Sequence, residues 1–209
     1  MQGKLLVIEG IDGAGKSTQI KFIKSVLESS GFKTIIFSYP DKNSDYGKII
    51  HSSIEGNKAL TIGEQFLLYI LDMVKDTGSI KKALESGSIV IADRYFFSTI
   101  AYQGSVGFGV GKSVDIIKTL GLNMPSMVFY LDIPVEMAIK RKQLQKGEEK
   151  TDMFEKNAEL LERARKQYIS MADSKLLCDN WVFIDASLQA QEVSAKIKET
   201  LKTVTEGKK

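Results

Sequence analysis

One stretch near the amino terminus constrains this chain more than any other: Gly10-Ile11-Asp12-Gly13-Ala14-Gly15-Lys16-Ser17-Thr18. It fits G-x-x-x-x-G-K-[ST], follows the apolar run Lys4-Leu5-Leu6-Val7-Ile8-Glu9, and leads into apolar residues at helical spacing. Strand before and helix after are the context this motif requires. Glycines at 10, 13 and 15 allow a tight turn that gathers backbone N–H groups into an anion cradle, with the positive end of the helix dipole aimed at the same place. Lys16 then reaches the terminal phosphates and the Ser17 hydroxyl sits on magnesium. The motif implies a nucleoside triphosphate site built from residues 10 to 18.

The rest of the chain alternates short apolar runs with helical patterns. The runs are Thr34 to Tyr39, Ser88 to Ala92, Met127 to Asp132 and Trp181 to Asp185. Ile20, Ile23, Val26 and Leu27 mark a helix ending at Gly31, and Tyr46, Ile49 and Ile50 a short helical patch. A capping box at Thr61-Ile62-Gly63-Glu64 opens a helix carrying Phe66, Leu67, Ile70, Leu71 and Val74. Lys81 to Glu85 reads as one more helical turn, and Gly104, Gly107, Gly109 and Gly111 as a glycine-rich loop. Five strands alternating with helices predict an α/β fold with a parallel sheet covered on both faces. Ligands of such sheets gather at the carboxyl ends of the strands, where Asp12, Lys42, Asp93, Arg94 and Asp185 all fall.

At 209 residues the chain reads as a single domain, 1–209, with the polar stretch from Gln143 to Asp152 as a mobile loop. A formal charge of +3 with mixed signs argues against a nucleic-acid surface. The lone Cys178 permits no intrachain disulfide and reads as a buried, inert thiol. With no apolar run of membrane-spanning length and no signal-peptide pattern, the expected location is cytoplasmic, without membrane contact.

A phosphate loop alone leaves GTPase, motor ATPase and kinase open. A guanine reader of the NKxD type is missing: Asn57-Lys58-Ala59-Leu60 ends in leucine and precedes a helix. Asp93-Arg94-Tyr95-Phe96-Phe97-Ser98-Thr99-Ile100-Ala101-Tyr102-Gln103 fits DRYxxSxxAYQ. With the opening IEGIDGAGKSTQ and Tyr39-Pro40-Asp41-Lys42, this resembles the thymidylate kinase family of nucleoside monophosphate kinases, from Lys4 to about residue 200.

The resemblance implies a three-layer P-loop NTPase fold with a mobile lid near 142–155, and transfer of the γ-phosphoryl of ATP to dTMP with magnesium. By the same resemblance Asp12 contacts the acceptor sugar and Lys42 holds the acceptor phosphate. Arg94 bridges the phosphates, and Asp93 helps Ser17 hold magnesium, partly through water. Ser98, Thr99, Tyr102 and Gln103 form the wall for base and sugar, and Tyr69 with Phe66 supplies the aromatic side. Arg141 and the turn at Ala186-Ser187 face adenine. The family is typically homodimeric, and the apolar surplus of the helix from 66 to 74 fits either a dimer face or a helix buried within one chain.

Three departures stand out. Gly13 occupies a position where some members carry a catalytic arginine. The usual lid pattern DRxE reads Asp152-Met153-Phe154-Glu155, leaving Arg141, Lys142, Lys146 and Lys150 as cations there, with Lys146 or Lys150 expected at the transferred phosphoryl group. Met73 stands where an arginine usually donates to a thymine carbonyl, a loss of about 1 to 3 kcal/mol unless water or Gln103 substitutes. A kinase for another nucleoside monophosphate or nucleoside, and a catalytically weak homologue serving as a nucleotide-binding module, are the competing readings.

Overall fold

The computed structural model describes residues 2–146 and 158–205. The strands are β1 (Lys4–Glu9), β2 (Thr34–Ser38), β3 (Ile89–Asp93), β4 (Met127–Asp132) and β5 (Trp181–Asp185). They form one parallel sheet in the order β2-β3-β1-β4-β5. The helices are α1 (Lys16–Ser29), α2 (Asp45–Ile54), α3 (Ile62–Val74), α4 (Thr77–Glu85), α5 (Phe96–Gln103), α6 (Val110–Thr119), α7 (Val135–Lys146), α8 (Ala158–Asp173) and α9 (Ala190–Thr205).

The central strands β1, β3 and β4 are buried almost along their length, which is why they read as unbroken apolar runs rather than as alternation. The outer strands β2 and β5 are only partly covered. Helices flank the sheet: α1 packs with α9, while α3, α5 and α8 form a second group. The expected capping box holds α3: Thr61 Oγ1 accepts from Glu64 N at 3.2 Å while Glu64 Oε2 accepts from Thr61 N at 2.8 Å. Cys178 is buried, and burial pushes its thiol pKa up.

Several boundaries move. The helical turn expected at Lys81 to Glu85 begins earlier, at Thr77, and the patch around Tyr46 is a helix of 10 residues. The glycine-rich loop is a short kinked connection: Gly104 continues directly from α5, Val106 (φ −109°) and Gly107 (φ 108°) leave helical geometry, Gly109 (φ 92°) precedes α6, and Gly111 lies inside α6. The Phe108 ring in this connection stacks on Phe66 at 4.0 Å between centroids. The Tyr39–Pro40 peptide bond is cis. Of the stretch expected to act as a lid, residues 142–146 belong to α7; 147–155 lie outside the described residues.

The sheet order positions the site. Placing β3 beside β1 pairs Ile8 with Asp93, so the phosphate loop after β1 and Asp93-Arg94 after β3 emerge side by side. The amide of Arg94 donates to Ile8 O at 3.1 Å.

Candidate active site

The phosphate loop is shaped by backbone geometry that side chains disfavour. Gly10, Gly13 and Gly15 all have positive φ, at 144°, 92° and 87°. A Cβ on Gly13 would lie 2.4 Å from Ala138 O of α7. Position 13 therefore has no room for a side chain, the arginine expected by resemblance included: helix α7 packs its backbone there.

Lys16 opens α1 and folds back over the loop, its Nζ donating to Gly10 O at 3.0 Å and Ile11 O at 3.1 Å. Burial, and then the neighbouring Arg94 guanidinium, push its pKa down to about 7. Arg94 stands at φ 66° and spans the loop: Nη1 donates to Gly10 O at 3.1 Å and to Ser98 Oγ at 2.9 Å, and Nη2 to Asp12 Oδ1 at 2.5 Å. The guanidinium holds the Asp12 carboxyl well below the usual carboxylate range. Arg94 also lies 5.7 Å from the centre of the Tyr102 ring, a cation–π distance.

Ser17 and Thr18 are exposed at the start of α1. Asp93 is half-buried at the end of β3, and its carboxylate makes no hydrogen bond to the described residues. Arg141 on α7 reaches across to the turn after β5, donating to Ala186 O at 2.8 Å and to Ser187 O and Leu188 O at 3.3 Å. The two adenine-facing features expected from sequence are thus joined directly. Asp185 is turned to local use, its Oδ1 accepting from Ser187 N and Oγ.

Among the residues expected to hold the acceptor, Lys42 is exposed and makes no hydrogen bond or ion pair to the described residues. Tyr69 and Tyr102 are half-buried, whereas Ser98, Thr99 and Gln103 are buried on α5. Phe66 is fully buried, its ring covered by Phe108, so it lines the wall from behind. Lys150 lies outside the described residues, as does Met153, and the side chain of Lys146 is not described.

The family model for thymidylate kinase matches residues 8–197. The chain belongs to the thymidylate kinase family. It is similar to the thymidylate kinase of Desulfotalea psychrophila, 37% identical over 171 residues covering 81% of this chain and 82% of the relative. It is also similar to that of Halothermothrix orenii, 31% identical over 209 residues and covering 97% and 98% of the two chains. A third relative, a probable thymidylate kinase of Thermococcus gammatolerans, is 35% identical over 180 residues, covering 82% and 84%.

Two thymidylate kinase positions that depart in sequence acquire a physical account. Met73 is buried in the core and carries no hydrogen-bond donor. Gly13 is excluded from carrying a side chain by α7.

The structure also brings in residues that sequence reading passed over. Glu9, last in β1 and fully buried, accepts from Tyr95 N at 2.8 Å, Ser98 N at 3.2 Å, Ser98 Oγ at 2.7 Å and Tyr168 OH at 2.8 Å. It caps α5 from a distance and fixes Ser98 under Arg94; burial raises its pKa. Asp132, last in β4, accepts a two-pronged contact from Arg165 of α8 at 2.8 Å for each bond. Asp72, also fully buried, accepts from Asp41 N at 2.8 Å and Ser44 Oγ at 2.5 Å, tying the loop of Lys42 to α3. A signal existed for Glu9 and Asp72, each an acid inside an apolar stretch. Its meaning depended on partners distant in sequence.

Proposed function

We propose that this chain transfers the γ-phosphoryl group of ATP to dTMP, giving dTDP and ADP. The observation that carries this reading is Arg94. Its guanidinium bridges the phosphate loop to Asp12 and Ser98, so one fixed cation stands between the triphosphate cradle and the wall assigned to the acceptor.

The acceptor phosphate is ionised at neutral pH, so no strong general base is required, and placement with charge neutralisation supplies the catalysis. Lys16 and the backbone of residues 10 to 15 bind the donor phosphates, and Arg94 neutralises charge where the two substrates meet. Lys42 holds the acceptor phosphate as a point charge. Asp12 faces the acceptor sugar. Tyr69 and Tyr102 border the base and sugar, Thr99 and Gln103 complete that wall, and Arg141 with Ala186 borders adenine. Lys146 or Lys150 approaches the transferred group from the lid.

Magnesium fits the oxygen donors present. The Ser17 hydroxyl and the Asp93 carboxylate make no hydrogen bond to the described residues, and among the described residues no cluster of three or more His, Cys, Asp or Glu side chains could hold a metal by itself. That suits an ion held chiefly by substrate phosphates and water. When bound, magnesium neutralises phosphate charge. The remaining parts of the reading are a cytoplasmic homodimer with no nucleic-acid or membrane partner. Among the described residues no helix is long and apolar enough to cross a membrane.

Coupled ADP production with dTMP, dUMP, dCMP and dGMP tests the assignment. The expected result is the highest kcat/KM for dTMP, abolished by chelation and restored by magnesium. A purine favourite would overturn it, and ADP production that stays at background with every acceptor would favour the nucleotide-binding module.

A further inference from the structure

Helix α3 carries Gln65, Tyr69 and Met73 at successive i, i+4 positions, so all three share one stripe. The third is buried, and the first is half-buried and polar. Gln65 Nε2 donates to Leu60 O at 3.2 Å, and Gln103 Nε2 of α5 donates to Gln65 Oε1 at 3.4 Å. Gln65 also lines a cavity of about 110 Å³ beside Tyr69, with Ile50, Ser53, Ile54 and Leu60.

The direction of this relay is fixed by chemistry. Leu60 O is a backbone carbonyl that can only accept, so the Gln65 atom facing it is the nitrogen. The other Gln65 atom is then the oxygen, which can only accept, so the Gln103 atom facing it is again the nitrogen. Turning the Gln103 amide over would set two carbonyl oxygens against each other. Turning both amides would set Gln65 Oε1 against Leu60 O. Gln103 is buried, and its Oε1 accepts no hydrogen bond from the described residues.

We propose that Gln65 sets the base selectivity of this enzyme by locking the Gln103 amide with its oxygen and one N–H free, so that an oxygen set opposite N3 and an N–H set opposite position 4 of the bound base match thymine or uracil and mismatch cytosine. Thymine and uracil present an N3–H donor beside the O4 acceptor. Cytosine presents the N3 acceptor beside the 4-amino donor, and only an overturned amide would serve it. Gln65 is a positioning residue acting through Gln103, and it supplies from one turn before Tyr69 the discrimination that Met73, one turn after, cannot. The proposal rests on the reading that Gln103 faces the base of a pyrimidine monophosphate.

The test is kcat/KM for dTMP, dUMP and dCMP in the full-length protein and in Gln65→Leu, Gln65→Lys and Gln65→Glu, with melting temperatures to establish folding. The wild type favours dTMP over dCMP. Gln65→Leu frees the amide, and the dTMP to dCMP ratio falls by about tenfold or more. Gln65→Lys offers only donors to Gln103, which turns over, and the ratio falls further. Gln65→Glu loses the bond to Leu60 O and must turn its second oxygen away from that carbonyl, but it keeps the ratio within about threefold because the first oxygen still accepts from Gln103 Nε2. The dTMP to dUMP ratio is unchanged in all three, since both bases share the edge being read.

An unchanged dTMP to dCMP ratio in folded Gln65→Leu and Gln65→Lys overturns the proposal and leaves the thymidylate assignment standing. An equal fall in Gln65→Glu also overturns it, as does a shift in the dTMP to dUMP ratio, because either reports general damage to the pocket. A wild type that prefers a purine overturns the assignment and the proposal together.

Discussion

Lys16 is held by two carbonyls of its own loop, in a site that lacks phosphate charge until a nucleotide arrives. With its pKa near 7, the amine is largely neutral at pH 8 in the free protein, and triphosphate binding recharges it. ATP binding at pH 8 is therefore expected to take up about one proton. Calorimetric titration in two buffers of different ionisation enthalpy reads this directly; equal heats in both would refute it, and Lys16→Met abolishes the difference. The sign for stability follows. Between about pH 7 and the ordinary lysine value of 10.5 the unfolded chain binds more protons than the folded one, so this residue favours folding increasingly as pH rises through that window. The contribution is lost as pH falls through 7.

At the scale of elements, the contact between α7 and the phosphate loop explains where catalytic charge can come from. Ala138 fills the space above Gly13, and Lys142 lies one turn further along the same face of α7. Its ammonium is close enough to Asp12 to help keep that carboxyl ionised, and it has no ion-pair partner among the described residues. Lys142→Met is expected to lower kcat by about 10- to 100-fold with little change in the KM for dTMP, read by steady-state kinetics. Gly13→Ala meets both a positive φ and the Ala138 carbonyl. A loss of about 2 to 3 kcal/mol in thermal unfolding is expected, with weakened ATP binding. Helix α3 plays the corresponding part on the acceptor side through Asp72. Asp72→Ala leaves Asp41 N without its acceptor and Ser44 Oγ with Asp41 O alone. It is expected to cost about 3 kcal/mol in denaturant unfolding and to raise the KM for dTMP several-fold while leaving that for ATP unchanged.

On the scale of the whole molecule, the buried residues of α3 are Phe66, Ile70, Asp72 and Met73, whereas Leu67 is 48% exposed and Leu71 39%. The apolar surplus of this helix is therefore not consumed by the described part of one chain, and Ile62 on the same helix and Ile54 of α2 are exposed as well. Sedimentation at micromolar concentration is expected to show a dimer, and Leu67→Glu with Leu71→Glu to return it to monomer with its melting transition retained. A monomeric wild type would remove the homodimer from the functional reading.

The sheet, its parallel sense and the phosphate loop were legible in the residues because their causes are local. Apolar run length marks a buried strand, and glycine spacing marks a loop that must adopt positive φ. The strand order, which sets Arg94 against Gly10, was not local, since it depends on β3 entering beside β1. The same holds for Glu9 under α5, for Asp72 beneath the loop of Lys42 and for the pairing of Gln65 with Gln103, whose partners lie 31 to 159 residues away. Gly13 shows the division most plainly. By itself the sequence determined that no side chain stands in the loop at that point; only the tertiary structure decided why, by packing the backbone of α7 into the space one would need.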